Sequence, residues 1–302
     1  MDAQLARALA AVARDRQSGA AELARRAAAA LHAWLRRHRS PAAEELEVVA
    51  RRLATAQPSM APLLRLANEV AQLAETGSLR RLPDAVARFR RLLDVAPGRI
   101  ARRFANRLRT MPPPIVATYS YSSSVVRALL AARRHLGVVW CSEARPVLEG
   151  RRAARELAAG GVNVVLMSDA ALFEVVPAAD LLVLGADAVQ RNGFHNKIGT
   201  SALVERRMAA AKPVWVLADT TKFWPDDAFH PRWRFTRARH QPSAELWRRP
   251  PHGVRLWNPY FAPCAYCAQL RVLCERGWLD ARRIHRALAR LRIAPSLRRL
   301  LH

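Results

Sequence analysis

At Met111-Pro112-Pro113-Pro114 the hydrophobic period of the chain changes, and no single layer of secondary structure accommodates both sides of that change. Before it the apolar residues recur at helical spacing, as in Leu23, Ala27, Leu31, Trp34 and Leu35, then Leu46, Val49 and Leu53, then Leu66, Val70 and Leu73. Breaks at Ser40-Pro41, Gln57-Pro58-Ser59 and Leu82-Pro83-Asp84 divide this stretch into four or five helices, with serine and aspartate as caps and proline in first turns. Consecutive prolines remove backbone donors and bias the residues before them away from helix, so the boundary falls there. Beyond it come short continuous apolar runs: Ile115 to Ala117, Val138 to Trp140, Val162 to Met167, Leu181 to Leu184 and Val214 to Leu217. Helical stretches such as Val125 to His135 and Val147 to Ala159 alternate with them, which is the pattern of a parallel sheet buried on both faces. The expectation is an α/β chain: an all-helical domain over residues 1–112, then a Rossmann-like parallel-sheet domain over 113–302 ending in a basic helical tail.

In such sheets ligands bind beyond the carboxyl ends of the strands, so the chemistry is sought just after each run. Composition sharpens that search. Of 50 basic residues, set against 24 acidic ones for a net charge of +26, only Lys197, Lys212 and Lys222 are lysine. Lys197 and Lys222 fall at strand ends, where an ammonium meets a phosphate or carbonyl oxygen as a compact point charge. Snorkelling at a sheet edge is the alternative for Lys222, and Lys212 beside Pro213 reads as a solvated turn residue. Asp187 follows an apolar run and a Gly-Ala turn, a placement suited to an acid or base and also to a helix cap. Ser120, Ser122, Ser123 and Ser124 lie between strand and helix, where hydroxyls and backbone donors cradle phosphate or simply cap. Asn196 binds sugar hydroxyls or holds its own loop, and Arg145 binds phosphate or pairs with Glu143. His195 is a proton carrier by its reference pKa, or an exposed or structural histidine.

The charge excess lies in residues 1–112 and 221–302, outside the segment that supplies most strand ends. A helical reading of Trp278 to Leu301 puts Ile284, Leu288, Leu291 and Ile293 near one face of a basic tail. That tail is open to nonspecific nucleic acid, an acidic partner, a second subunit or solvent. Four cysteines are too few for a disulfide scaffold and fit a reducing cytoplasm. On a helix Cys264, Cys267 and Cys274 share one face, yet no fourth ligand stands at matched spacing, so no metal and no cofactor are expected. Arg7, Arg14 and Asp15 interrupt any signal-like run, and nowhere are there about 18 uninterrupted apolar residues, so no membrane association is expected.

Read in order, Thr118-Tyr119-Ser120-Tyr121-Ser122, Ser142-Glu143-Ala144-Arg145-Pro146 with Leu148-Glu149-Gly150-Arg151, Gly185-Ala186-Asp187, Asn192-Gly193, Asn196-Lys197-Ile198-Gly199-Thr200, Thr221-Lys222-Phe223 and Asn258-Pro259-Tyr260-Phe261 form one set. The set resembles the superfamily of the alpha, beta and delta regulatory subunits of the eukaryotic exchange factor for translation initiation factor two, methylthioribose-1-phosphate isomerase and ribose-1,5-bisphosphate isomerase. The resemblance is strongest over residues 115–225 and reaches the helical domain at Gly19-Ala20. It implies a helical domain on a Rossmann-like one, a phosphorylated-pentose or nucleotide-like ligand between them, and a homodimer or larger assembly. It implies catalytic roles for Asp187 and for the residue at 120, and ligand contacts from Gly19, Ser122, Arg145, Glu149, Asn196, Lys197 and Lys222. The isomerases use a cysteine where this chain has Ser120, and a glutamine where it has Glu149. An alkyl hydroxyl has no ionisation near neutrality unless a base activates it, whereas a thiol titrates at about 8.5. The expectation is therefore a ligand-binding member with weak or no isomerase activity. The alternatives are an aldose-ketose isomerase in which Asp187 works with a replacement such as Ser120, Cys141 or water, and an RNA- or translation-associated subunit. Arg16 stands nearest the position of a phosphate-binding arginine that reads Ser18 here.

Overall fold

The computed structural model describes residues 1–225 and 242–301. Five helices form the N-terminal region: α1 (Ala3–Arg14), α2 (Ala20–Arg37), α3 (Ala43–Ala56), α4 (Ala61–Glu75) and α5 (Leu82–Leu108). Their apolar stripes meet in one core, where Leu5 and Leu9 of α1 join Leu31 and Trp34 of α2, Leu46 and Leu53 of α3 and Leu66 of α4. Each such side chain contributes about 1.5–3 kcal/mol when fully withdrawn from water. The helix starts differ from the sequence expectation, because no side chain of Ser40, Ser59 or Asp84 caps a helix. Instead α3 starts after Ala42, whose N–H donates to Glu45, and α4 starts after Met60 with Pro62 in its first turn. Of Pro41, Pro58 and Pro83, only Pro83 lies inside a helix start; the other two sit in connections, where a missing donor leaves no ladder broken.

The 27-residue α5 joins two cores. Leu82, Val86, Phe89 and Leu93 belong to the helical core, while Ile100, Phe104 and Leu108 pack on the sheet that follows. That sheet contains β1 (Ile115–Thr118), β2 (Val138–Ser142), β3 (Val164–Met167), β4 (Leu181–Leu184), β7 (Val214–Leu217), β9 (Leu270–Cys274) and β10 (Gly277–Leu279) in the order β10-β9-β7-β4-β1-β2-β3. All its pairings are parallel except β9 with β10. The crossovers run through α6 (Ser123–Ala131), α7 (Glu149–Ala159), α8 (Asp169–Val175) and α9 (Thr200–Ala209). The five expected runs thus become five parallel strands, but β3 is an edge strand with Val165 and Leu166 exposed rather than a strand covered on both faces.

A second, antiparallel sheet of β5 (Ala188–Val189), β6 (Gly193–Lys197) and β8 (Phe261–Ala265) was not apparent from hydropathy. Its central strand reads Gly-Phe-His-Asn-Lys, with neither an apolar run nor a clean alternation to mark it. This sheet also corrects the cysteine expectation: Cys264 lies in β8 and Cys274 in β9, so no helix face unites them. Among the described residues no group of histidine, cysteine and carboxylate side chains is placed to hold a metal, and no helix is long and apolar enough to cross a membrane. The tail is likewise not one helix. Trp278 belongs to β10, and α10 (Ala281–Ala289) and α11 (Pro295–Leu301) follow. Asn68 of α4 sets the break, donating to Arg292 O at 2.9 Å and accepting from Ala294 N at 2.8 Å. Ala294 and Leu297 then enter the helical core.

Candidate functional site

A cavity of about 690 Å³ opens between the carboxyl ends of β1, β2, β4 and β7 and the α1–α2 connection. Eight of the nine residues singled out from the sequence line it: Gly19, Ser120, Ser122, Glu149, Asp187, Asn196, Lys197 and Lys222. Arg145 does not. Its side chain is exposed and donates to Glu245 O at 3.2 Å, while its backbone N–H donates to Asp169. The Arg145-Pro146 peptide bond is cis.

Local folding explains the placements. Ser122 caps α6, and its side chain packs so closely on Gly185 that a Cβ there would lie 2.6 Å from the serine Cβ and Oγ. Gly185 therefore lets β4 end against the start of α6, which delivers Asp187 two residues later. The Asp187 main chain is pinned on both sides, its N–H donating to His195 O at 2.8 Å and its C=O accepting from Ala61 N at 3.0 Å. The second bond comes from the first turn of α4, so the helical region helps place the carboxylate. Asn196 and Lys197 arrive on β6, paired with Ala262 and Phe261 of β8. Ser120, Ala144 and Leu148 all take positive φ values, 66°, 60° and 65°, just after β1 and β2. Left-handed backbone is unfavourable for such residues by roughly 1–2 kcal/mol, and strain of this kind clusters at functional sites.

At the centre, Glu149 Oε1 accepts from Ser120 Oγ at 2.8 Å and forms an ion pair with Lys197 Nζ at 2.6 Å. Its other oxygen, Oε2, is buried without a partner among the described residues. Lys197 is 3% exposed, and its ammonium lies 5.2 Å from the centroid of the Tyr260 ring. Lys222 is 5% exposed, and its ammonium makes no hydrogen bond or ion pair among the described residues. Burial pushes the Asp187 carboxyl up to about 6, with Glu149 adding to the rise and the charges of Lys222 and Lys197 opposing it. Asn196 donates to Thr200 Oγ1, which in turn donates to Lys197 O, so this amide also stabilises its own turn.

Other candidates lie elsewhere. Cys141 is buried in β2 outside the cavity, and burial pushes its thiol up to about 11, the environment of an inert packing cysteine. His195 is buried on β6, not exposed, and burial lowers its imidazole to about 4. Lys212 is not a free turn residue; it donates to Ala178 O and Ala179 O. The tail arginines Arg282, Arg283, Arg286, Arg290, Arg292, Arg298 and Arg299 are all exposed.

Sequence reasoning named Arg16 on the cavity rim and missed the other rim arginines. Arg16 and Arg25 reach it from the helical region and Arg151, Arg152 and Arg155 from α7, so seven basic against four acidic side chains line the whole cavity. Arg16 and Arg155 have no ion pair among the described residues, whereas Arg151 pairs with Glu143, and Arg152 pairs with Glu156 and lies over Tyr121. The spacing of 151 and 155, one helical turn apart, was the available signal. It was masked by arginines being common everywhere.

A helical region closing over the strand ends of a Rossmann-like sheet, with a polar, net-basic cleft between them, defines the class of this molecule. Within that class the chain belongs to the initiation factor 2 subunit family, whose model matches residues 16–261. It is 31% identical over 219 residues to ribose 1,5-bisphosphate isomerase of Haloferax volcanii, covering 68% of this chain and 67% of that protein. With the Haloterrigena turkmenica protein of the same name it shares 34% identity over 141 residues, 46% of this chain and 42% of the relative. The match thus spans less than half the length of that relative. In fold it resembles the Pyrococcus horikoshii OT3 translation initiation factor eIF-2B, with a TM-score of 0.73 at 24% identity over 92% of this chain and 98% of that one.

Proposed function

We propose that the cavity binds a phosphorylated sugar. The observation that carries this reading is Lys222, a buried ammonium without a hydrogen-bond or ion-pair partner among the described residues, facing the same cavity as Asp187 and the Glu149–Lys197 pair. A buried cation is costly unless it is paired, and an anionic ligand supplies the pair. The cavity's excess of three basic side chains complements the negative charge of a phosphate ester, and Arg16 and Arg155 are free to hold it bidentately. Asn196, Asp187 and Glu149 supply the acceptors and donors that sugar hydroxyls need. The relatives named ribose 1,5-bisphosphate isomerase support a pentose phosphate as the ligand class. The test is thermal stabilisation by ribose 1,5-bisphosphate. It is expected for the wild type and for Arg299→Ala and lost in Lys222→Met; an equal shift in all three sinks the pocket reading.

A homodimer in the cytoplasm completes this reading. Its support is edge strand β3, with Val165 43% and Leu166 45% exposed, and a monomeric mass in light scattering at micromolar concentration counts against it. The seven exposed tail arginines support a separate, nonspecific affinity for nucleic acid, expected to collapse between low and physiological salt.

A further inference from the structure

Loss of the thiol at position 120 leads the sequence toward a site with weak or no turnover. The geometry points elsewhere: we infer that Glu149 is the catalytic base of an aldose 1-phosphate to ketose isomerisation, with Ser120 and Lys197 holding it and Asp187 as the acid. This rests on the sugar-phosphate reading of the cavity.

Three observations carry it. Glu149 presents two chemically different oxygens. Oε1 is saturated by the Ser120 hydroxyl at 2.8 Å and the Lys197 ammonium at 2.6 Å, while Oε2 is buried without a partner in a residue that lines the cavity. A carboxylate fixed through one oxygen and free at the other is arranged to accept a proton, and a buried acceptor left unsatisfied is otherwise a cost of about 1–3 kcal/mol. The fixing is also built into the backbone. Ser120 holds its hydroxyl toward Glu149 from a left-handed φ of 66°, and Glu149 opens α7 directly after Leu148, itself left-handed at 65°. Finally, a second carboxyl shares the cavity in a different environment. Asp187 has no ion pair among the described residues, and burial raises it to about 6, so part of its population carries a proton near neutrality. Two carboxyl groups, one ion-paired and one raised by burial, are the arrangement that divides acid from base.

The step balances without any further reactant. Asp187 gives its proton to the ring oxygen as the C1–O bond breaks and its electron pair stays on that oxygen. Glu149 Oε2 takes the proton from C2, and the C2–H pair becomes the C1=C2 bond of an enol phosphate. Glu149 then returns the proton to C1 while the 2-hydroxyl gives its own to Asp187. The product is a 2-ketose with a CH₂–O–phosphate, and both carboxyl groups regain their starting states.

The experiment uses the full chain and ribose 1,5-bisphosphate in deuterated water, with product and C1 deuterium read by NMR and binding read separately by calorimetry. Glu149→Gln keeps the size and the hydrogen bond to Ser120. It is expected to bind within about threefold of wild type and to lose at least roughly a hundredfold in turnover, the range for removing a general base. Ser120→Ala, a positioning change, is expected to lower kcat about tenfold with KM unchanged and to leave C1 deuterium uptake intact. Turnover of Glu149→Gln within twofold of wild type overturns the assignment, as does wild type that binds the sugar and never turns it over. Wild type that does not bind removes the sugar-phosphate reading itself, and the assignment with it. A misfolded Glu149→Gln would show in its melting curve, and Glu149→Asp, which keeps the acid on a shorter arm, then decides: measurable deuterium uptake upholds the role, while its absence in a well-folded, ligand-binding protein overturns it.

Discussion

Both ends of the main sheet bury cations, and they treat them oppositely. At the amino end, Arg207 of α9 is fully buried and donates to the carbonyls of Val176, Ala179, Asp180 and Pro213, tying the end of α8 to the starts of β4 and β7. No carboxylate among the described residues is ion-paired with it, and burial lowers its guanidinium to about 10. At the carboxyl end, Lys197 has one carboxylate partner, Glu149, and Lys222 none among the described residues, and the second oxygen of Glu149 is without a partner as well. A buried charge whose two terminal nitrogens are taken up by main-chain carbonyls, leaving only Nε without a partner among the described residues, is a structural fastener. One whose valences are left open at a cavity is held for something that is not part of the chain.

The sharpest way to break this contrast is Arg207→Met. It leaves four carbonyls without their donor, and about 4 kcal/mol of stability and roughly 10 °C in Tm should be lost while the ligand-induced shift survives. A Tm within two degrees of wild type would place the fastening elsewhere. Next comes Lys197→Met, for which calorimetry should show affinity for ribose 1,5-bisphosphate falling roughly a hundredfold with a smaller change in Tm. If stability fell as far as in Arg207→Met and affinity did not, the two ends would be alike. Gly185→Ala pushes on Ser122 through a contact of 2.6 Å and should weaken the ligand about tenfold by shifting the start of α6.

Smaller than the loss in Arg207→Met is a pH effect on stability at Asp187. Its folded pKa of about 6 lies above the ordinary aspartate value of 3.8, so the folded state holds the proton more tightly. The corresponding stability is full below pH 3.8 and is lost as pH rises through 6. Asp187→Asn, which cannot ionise, should therefore melt about 7 °C higher than wild type at pH 8 and at the same temperature below pH 3.8. His195 works in the opposite sense. Its pKa is lowered to about 4, so its contribution is present above pH 6.5 and lost as pH falls through 4. Over the shared window the two slopes oppose each other, and Asp187→Asn should leave the histidine's acid destabilisation uncovered.

Much of the site was legible because strand ends are legible. Lys197 and Lys222 stood out as two of only three lysines among 50 basic residues, and Asp187 followed an apolar run and a Gly-Ala turn. Arg145 was equally visible and sits outside the cavity, because its side chain turns out to Glu245 while its backbone is held by Asp169. Nothing local to Ser142-Glu143-Ala144-Arg145 specifies that direction. Glu149 was singled out only through likeness, and its bonds to Ser120 and Lys197 cross 29 and 48 positions of sequence.

The sequence by itself determined the two hydrophobic periods, the break at the triple proline, the five parallel strands and the places where they end. These follow from side-chain spacing and backbone sterics that act over a few residues. Tertiary structure alone decided that β6, with no hydropathy signal, would carry Asn196 and Lys197 into the cavity, and that α4 would reach across to hold Asp187. It also decided that the tail would break at Asn68 and pack on the helical region, and that one buried cation would be sealed by carbonyls while another stayed open. Those outcomes depend on which groups lose water together and which partners remain within hydrogen-bond reach, and that is fixed only when distant segments meet.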